Sequence, residues 1–160
     1  MPELQVVRAD HAAALLSFEQ ENRAYFAAVV PDRGDDYFAE FDQRHAELLA
    51  RQADGQDFCH VLVAADGAIV GRVNLFEVTD GCAELGFRIA ERVAGKGVAT
   101  TAVRQVCALA AAQYGLTALR ARAKVANLGS TKILTRTGFL PTGEIVLNGS
   151  PAITYLLELA

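Results

Sequence analysis

At 160 residues the chain has the length of one ordinary domain, commonly about 100–150 residues, and 52% hydrophobic against 21% charged residues excludes intrinsic disorder. A net charge of −4, with no run of Lys or Arg, argues against nucleic acid as a partner. No apolar stretch approaches the roughly 20 residues of a membrane helix, and Met1-Pro2-Glu3-Leu4 lacks the parts of a secretory leader, so the expectation is a cytoplasmic protein with one domain, 1–160, and no membrane partner.

Leu4 to Arg8 reads as a short strand, after which Asp10 is placed to cap a helix carrying Ala14, Leu15, Phe18 and later Tyr25 at helical spacing. Beyond the break at Pro31 to Gly34, Asp35 or Asp36 is the expected cap of a second helix. Its Tyr37, Phe38, Phe41, His45, Leu48 and Leu49 share one face, and it ends near Asp54-Gly55. The period then changes: Phe58 to Ala64 and Ile69 to Val78, joined by Ala65-Asp66-Gly67, predict a hairpin, and Cys82 to Ile89 a third strand after Thr79-Asp80-Gly81.

Gly95 and Gly97 lead into the longest helix, about Val98 to Tyr114, with Gly115 as its left-handed C-cap. Leu119 to Val125 alternates apolar residues with Arg120, Arg122 and Lys124, which is a strand with one wet face. Asn127 caps a short helix to Thr137, Gly138 closes it, and Asn148-Gly149 separates two last strands. The fold class is therefore α/β or α+β, with about seven strands in one mixed sheet flanked by helices.

Cys59, Cys82 and Cys107 are odd in number and lie in apolar stretches, so they are expected as reduced thiols; His11, His45 and His60 are scattered, and no metal is expected. The segment Arg92-Val93-Ala94-Gly95-Lys96-Gly97 is different. Between a strand and a long helix, it aims backbone N–H groups and the positive helix end into one place, and Arg92 and Lys96 add charge there. A P-loop would need Gly in place of Ala90 and Ser or Thr in place of Gly97, and a dinucleotide fingerprint would need Gly in place of Thr100.

Arg92-x-x-Gly95-x-Gly97, after a strand and opening a helix, resembles the pyrophosphate loop of the GNAT acetyltransferases. Asn127-Leu128-Gly129-Ser130, Ile133-Leu134 and Gly138-Phe139 are similar to that family's late Asn-containing helix and terminal Gly-Phe, so the resemblance covers residues 4–160. It implies the GNAT fold and acetyl-CoA as cofactor. The coenzyme would be held by Arg92, Val93, Ala94, Gly95, Lys96, Gly97, Val98 and Ala99, by Phe87, Arg88 and Ile89 beside the pantetheine, and by Asn127 and Ser130.

Glu21-Asn22-Arg23-Ala24-Tyr25-Phe26 with Pro31, and Glu84-Leu85-Gly86-Phe87, resemble the RimJ/RimL-type subgroup that acetylates N-termini of ribosomal proteins. That subgroup often has a Trp just before the proline, where this chain has Val29 and Val30. The reaction needs a neutral amine and a proton for the departing thiolate, while proximity alone can supply about 7–11 kcal/mol of the barrier. Glu84 is the candidate base, and its other reading is a wet-face residue paired with a cation. The family's usual acid, a Tyr on the late helix, is replaced by Leu134, and Ser130 resembles the Ser that RimJ/RimL-type enzymes place near the sulfur. Its other reading is a local bond to the helix backbone.

Tyr25, Phe26, Tyr37 and Phe38 are read either as acceptor-cleft residues or as core. The implied partner is an amine: a protein N-terminus first, a small amine second, with a non-catalytic acyl-CoA-binding module as the third reading, in a monomer or homodimer.

Overall fold

The computed structural model describes residues 1–160. Strand β1, Glu3–Val6, gives way to a single 3-10 turn, Ala9–His11, in which the Arg8 N–H donates to Nδ1 of His11 at 2.9 Å. Asp10 therefore does not cap the first helix; its carboxylate pairs with the Arg8 guanidinium instead. The helical region that follows is broken at Asn22 into α1, Ala12–Glu21, and α2, Arg23–Ala27. Buried Asn22 turns its amide to the chain, donating to the Phe18 carbonyl at 2.9 Å and accepting the Glu91 N–H at 3.0 Å.

The second predicted helix is also divided, at Glu40, into α3, Asp35–Ala39, and α4, Phe41–Ala53. Neither Asp35 nor Asp36 caps it: Gly34 holds the N-cap position, and Asp35 bonds Arg23 at 2.8 Å. The α4 face that carries Phe41 and His45 is buried as its period requires. Gln52 on the same helix closes the gap where β1 leaves the sheet, donating to the Val7 carbonyl at 3.0 Å and accepting the Cys59 N–H at 2.9 Å.

Strands β2, Phe58–Val63, β3, Ile69–Thr79, and β4, Cys82–Ile89, form an antiparallel meander; helix α5, Val98–Ala112, then crosses to β5, Ala118–Lys124. Helix α6, Leu128–Arg136, precedes the closing hairpin of β6, Leu140–Leu147, and β7, Ser150–Glu158. The seven-stranded sheet runs β1-β2-β3-β4-β5-β7-β6, and only β4 with β5 is parallel. This is the mixed α/β sheet that the strand count predicts.

Small residues let α5 lie close to the sheet: Val98, Ala102, Val103, Val106 and Ala110 are its buried face, and they join Val73, Leu75, Ala83, Leu85 and Leu119 in the main core. Tyr114, expected within α5, lies beyond its end, where its ring stacks on Phe58 at 3.9 Å and its hydroxyl meets buried His60 at 2.6 Å. Burial pushes the His60 imidazole below its ordinary value, which favours the neutral ring.

The opposite face of the sheet is tied to α1 by one carboxylate. Glu19, 1% exposed, meets Arg72 of β3 at 2.8 Å, Arg33 at 2.9 Å and Arg88 of β4 at 3.7 Å, while Arg72 also donates to the Tyr37 hydroxyl. Burial raises the Glu19 carboxyl, but the hydrogen bonds and charges of Arg33 and Arg72 outweigh it and leave the group below its ordinary value. The result fixes the 29–34 segment, through Arg33, against the end of β4.

Candidate active site

The central feature is a fork in the sheet. Strand β4 is matched to β3 as far as Gly71↔Ile89, yet to β5 only through Cys82↔Ala118, Ala83↔Leu119 and Glu84↔Arg120. Beyond Glu84 the parallel strands share no rung, and a cleft of about 160 Å³ opens between Leu85, Gly86 and Phe87 on one side and Ala121 to Lys124 on the other. Asn127, Ser130 and Leu134 line it from α6, and Val29, Val30, Pro31, Leu147 and Asn148 complete its wall.

At the end of β4 the chain makes a 3-10 turn, Glu91–Val93, then reaches α5 through Gly95 and Gly97, both at positive φ of 74° and 77°. Val93 and Ala94 spend their N–H groups on the carbonyls of Ala90 and Glu91, and no backbone or side-chain acceptor takes those from Gly95 to Thr100. Such a run of orphan donors at the positive end of a 15-residue helix is suited to an anion. A Cβ on Gly95 or Gly97 would meet nothing within 4 Å, so the space beside these amides is open, and exposed Arg92 and Lys96 flank it. The free amides thus begin two residues later than Val93 and extend past Ala99 to Thr100.

Other expected coenzyme contacts divide. Phe87 faces the cleft, whereas the Arg88 side chain turns to the α1 face, pairing with Glu19 and lying 5.0 Å over the Phe26 ring, and Ile89 packs toward Gly71. Asn127 is the N-cap of α6, its Oδ1 accepting the Ser130 N–H at 3.2 Å. The Ser130 hydroxyl bonds no helix carbonyl, unlike Thr131 and Thr135 on the same helix and Thr137 at its C-cap, and it lies half-buried on the cleft wall. Leu134, in the place of the family's Tyr, is buried on the same wall.

Glu84 stands on the last rung before the fork. Its Oε2 accepts from Arg122 Nη2 at 3.0 Å, across the strands, and Oε1 has no partner. The expected cation partner is thus present. Phe26 and Tyr37 are core, Phe38 lies 4.4 Å beneath Arg23, and Tyr25 is exposed; none lines the cleft. Tyr37 and Phe41 pack edge to face at 5.7 Å.

Sequence reasoning missed Arg122, Lys124 and the Leu147-Asn148 turn as cleft residues. The alternation of β5 marks Arg122 and Lys124 as a wet face, but nothing local says that this face looks onto a fork. No helix of the chain is long and apolar enough to cross a membrane.

Residues 3–140 match the family model described as an acetyltransferase (GNAT) domain. The curated protein named "Probable N-acetyltransferase YjcK" of Bacillus subtilis is 31% identical over 144 residues, 84% of this chain and 80% of that protein. The solved ribosomal-protein-S5-alanine acetyltransferase of Vibrio fischeri superposes with a TM-score of 0.90 at 21% identity, covering 98% of this chain and 92% of that one. The spermidine N-acetyltransferase of Vibrio cholerae, solved with CoA and spermine, gives 0.80 at 18% identity over 98% and 95% of the two chains. A forked sheet, a run of free amides at the head of α5 and a family match over most of the length lead to one conclusion: the chain belongs to the GNAT family and is an acetyl-CoA-dependent N-acetyltransferase.

Proposed function

We propose that the acceptor is the N-terminal α-amine of a protein, a ribosomal protein being the first candidate, and that it attacks the acetyl group directly within a ternary complex. The observation that carries this reading is the cleft through the fork. Strand register puts Glu84, Arg120 and Arg122 on the sheet face shared with Arg72, Arg88 and α1, while Ala121 and Ala123 face the opposite way, toward α6. Donor and acceptor can therefore meet between the strands from opposite faces of the sheet. Acetyl-CoA supplies an activated thioester carbonyl.

The chain supplies the rest. Amides from Gly95 to Thr100, with Arg92 and Lys96, bind the pyrophosphate. Glu84 Oε1 takes the proton of the acceptor ammonium through water, and Arg122 keeps that carboxylate oriented by holding Oε2. As the C–N bond forms and the C–S bond breaks, the Ser130 hydroxyl donates a hydrogen bond to the departing thiolate, a role left open by Leu134. The similar proteins favour an amine acceptor: one is a ribosomal-protein-S5-alanine acetyltransferase and another a spermidine N-acetyltransferase.

A panel of amines with acetyl-CoA tests the proposal. Peptides beginning with Ser, Ala or Thr are expected to be acetylated with higher kcat/KM than spermidine or aminoglycosides. Turnover confined to the small amines overturns it.

A further inference from the structure

We infer, resting on the peptide-acceptor reading above, that the acceptor carries acidic residues directly after its N-terminal amine. Three cations alternate along the acceptor face of β5. Arg122 is paired with Glu84, whereas half-buried Lys124 forms no ion pair and Arg120 offers Nη1 only to the Cys82 sulfur at 3.3 Å. Successive same-face residues on a strand stand about 6–7 Å apart, so Arg120 and Lys124 flank the Glu84–Arg122 pair at the reach of neighbouring peptide side chains.

The surrounding surface has the same sign. Lys124 lines the cleft, which contains no carboxylate, and an adjoining depression of about 410 Å³ shares Arg122 with it and places Arg120 beside Thr142 and Thr154. Glu84 is the single acid in that depression and is already neutralised by Arg122; exposed Glu158 stands opposite Ala118, outside the lining. A polyamine brought to Glu84 would set its second ammonium among Arg120, Arg122 and Lys124 with no counter-charge. A peptide of the type Ser-Asp-Asp places its amine at Glu84 and its carboxylates at the two unpaired cations, on a protein whose net charge of −4 gives no general attraction for acids.

The experiment compares Ser-Asp-Asp-Ala-Tyr, its Ser-Asn-Asn and Ser-Lys-Lys counterparts and spermidine, by kcat/KM and by calorimetric binding to the CoA-bound enzyme. The acidic peptide should exceed its amide twin by about tenfold at low salt. That gap should close in about 1 M NaCl, where the Debye length is about 3 Å. In the double variant R120E/K124E the order of the acidic and Lys peptides should invert, with the CoA Kd within about twofold of the parent. Equal use of the acidic and amide peptides overturns the inference and leaves the peptide-acceptor reading standing. A loss of CoA affinity in R120E/K124E also overturns it, because these cations would then serve the coenzyme. Turnover of spermidine alone overturns both.

Discussion

The two edges of β4 differ in what they offer. Along β3 it is paired from Cys82 to Ile89, apart from a bulge near Phe76, so its backbone groups on that side are satisfied; along β5 the pairing stops at Glu84. One strand therefore has a rigid side and an open side. The paired edge, with Arg72 and Arg88 anchored on Glu19, sets the position of residues 85–87, while the unpaired edge leaves them facing a cleft. Changes on the open side should cost activity with little stability, and changes on the anchored side the reverse.

The largest effect is expected at the fork itself. Glu84→Gln keeps the shape and removes the charge, and general-base loss lowers kcat by about 100- to 10,000-fold. The partner Arg122 is 46% exposed, and a pair so exposed contributes about 0–1 kcal/mol, so the melting temperature should hardly move. Full kcat in Glu84→Gln, with chemistry shown to be rate-limiting, would remove Glu84 from the mechanism.

Glu19→Gln probes the anchored side. It leaves Arg72 and Arg33, whose Nε atoms already lack partners, around a neutral amide, and breaking a buried pair in this way costs about 3–5 kcal/mol by denaturant unfolding. The acid response has a definite sign. Because the folded carboxyl lies below its ordinary value of 4.5, its contribution is complete above that pH and is lost as pH falls through the lower folded value. Wild-type stability should thus decline more steeply than that of Glu19→Gln below pH 4.5, and parallel declines would show that the carboxylate is not held by its arginines.

Ser130→Ala is the smallest and sharpest of the three. A hydrogen bond from a hydroxyl to a thiolate is charge-assisted and worth about 1.5–3 kcal/mol, so its loss lowers kcat about 10- to 150-fold and leaves the acetyl-CoA Kd unchanged. Since the hydroxyl makes no helix bond, Ala should not reduce the melting temperature. A lower melting temperature with unchanged kcat would assign Ser130 to the helix alone.

What could be read without coordinates follows the same division. The glycine loop is local: Gly95 and Gly97, their positive φ and the start of α5 are all within a few residues, so a run of free amides ahead of α5 was legible, though its onset at Gly95 depended on the turn at Glu91–Val93. The number of strands and their places along the chain were legible from period and turns, whereas their order in the sheet, with β7 inserted between β5 and β6, was not. The helix caps at Asp10 and Asp35 failed because Arg8 and Arg23 hold the carboxylates that a cap would use, and Asp36 lies inside the helix whose N-cap position Gly34 takes. This part of the cleft wall was not legible, because Val29–Pro31, Arg122 and Leu147–Asn148 come from three distant segments that meet only once the sheet has forked.

That fork also shapes how the chain assembles. A parallel pair demands a long crossover, and closing such a loop costs entropy that backbone pairing normally helps to offset. Here the crossover through α5 gains only the three residue pairings from Cys82–Ala118 to Glu84–Arg120, so the two antiparallel half-sheets, β1 to β4 and β5 to β7, are joined mainly by side chains. Val98, Ala102, Val103 and Val106 of α5, with Leu134 of α6, belong to the apolar cluster that does this joining. The apolar contacts of these helices therefore add cohesion between the halves that a seam of three pairings does not supply.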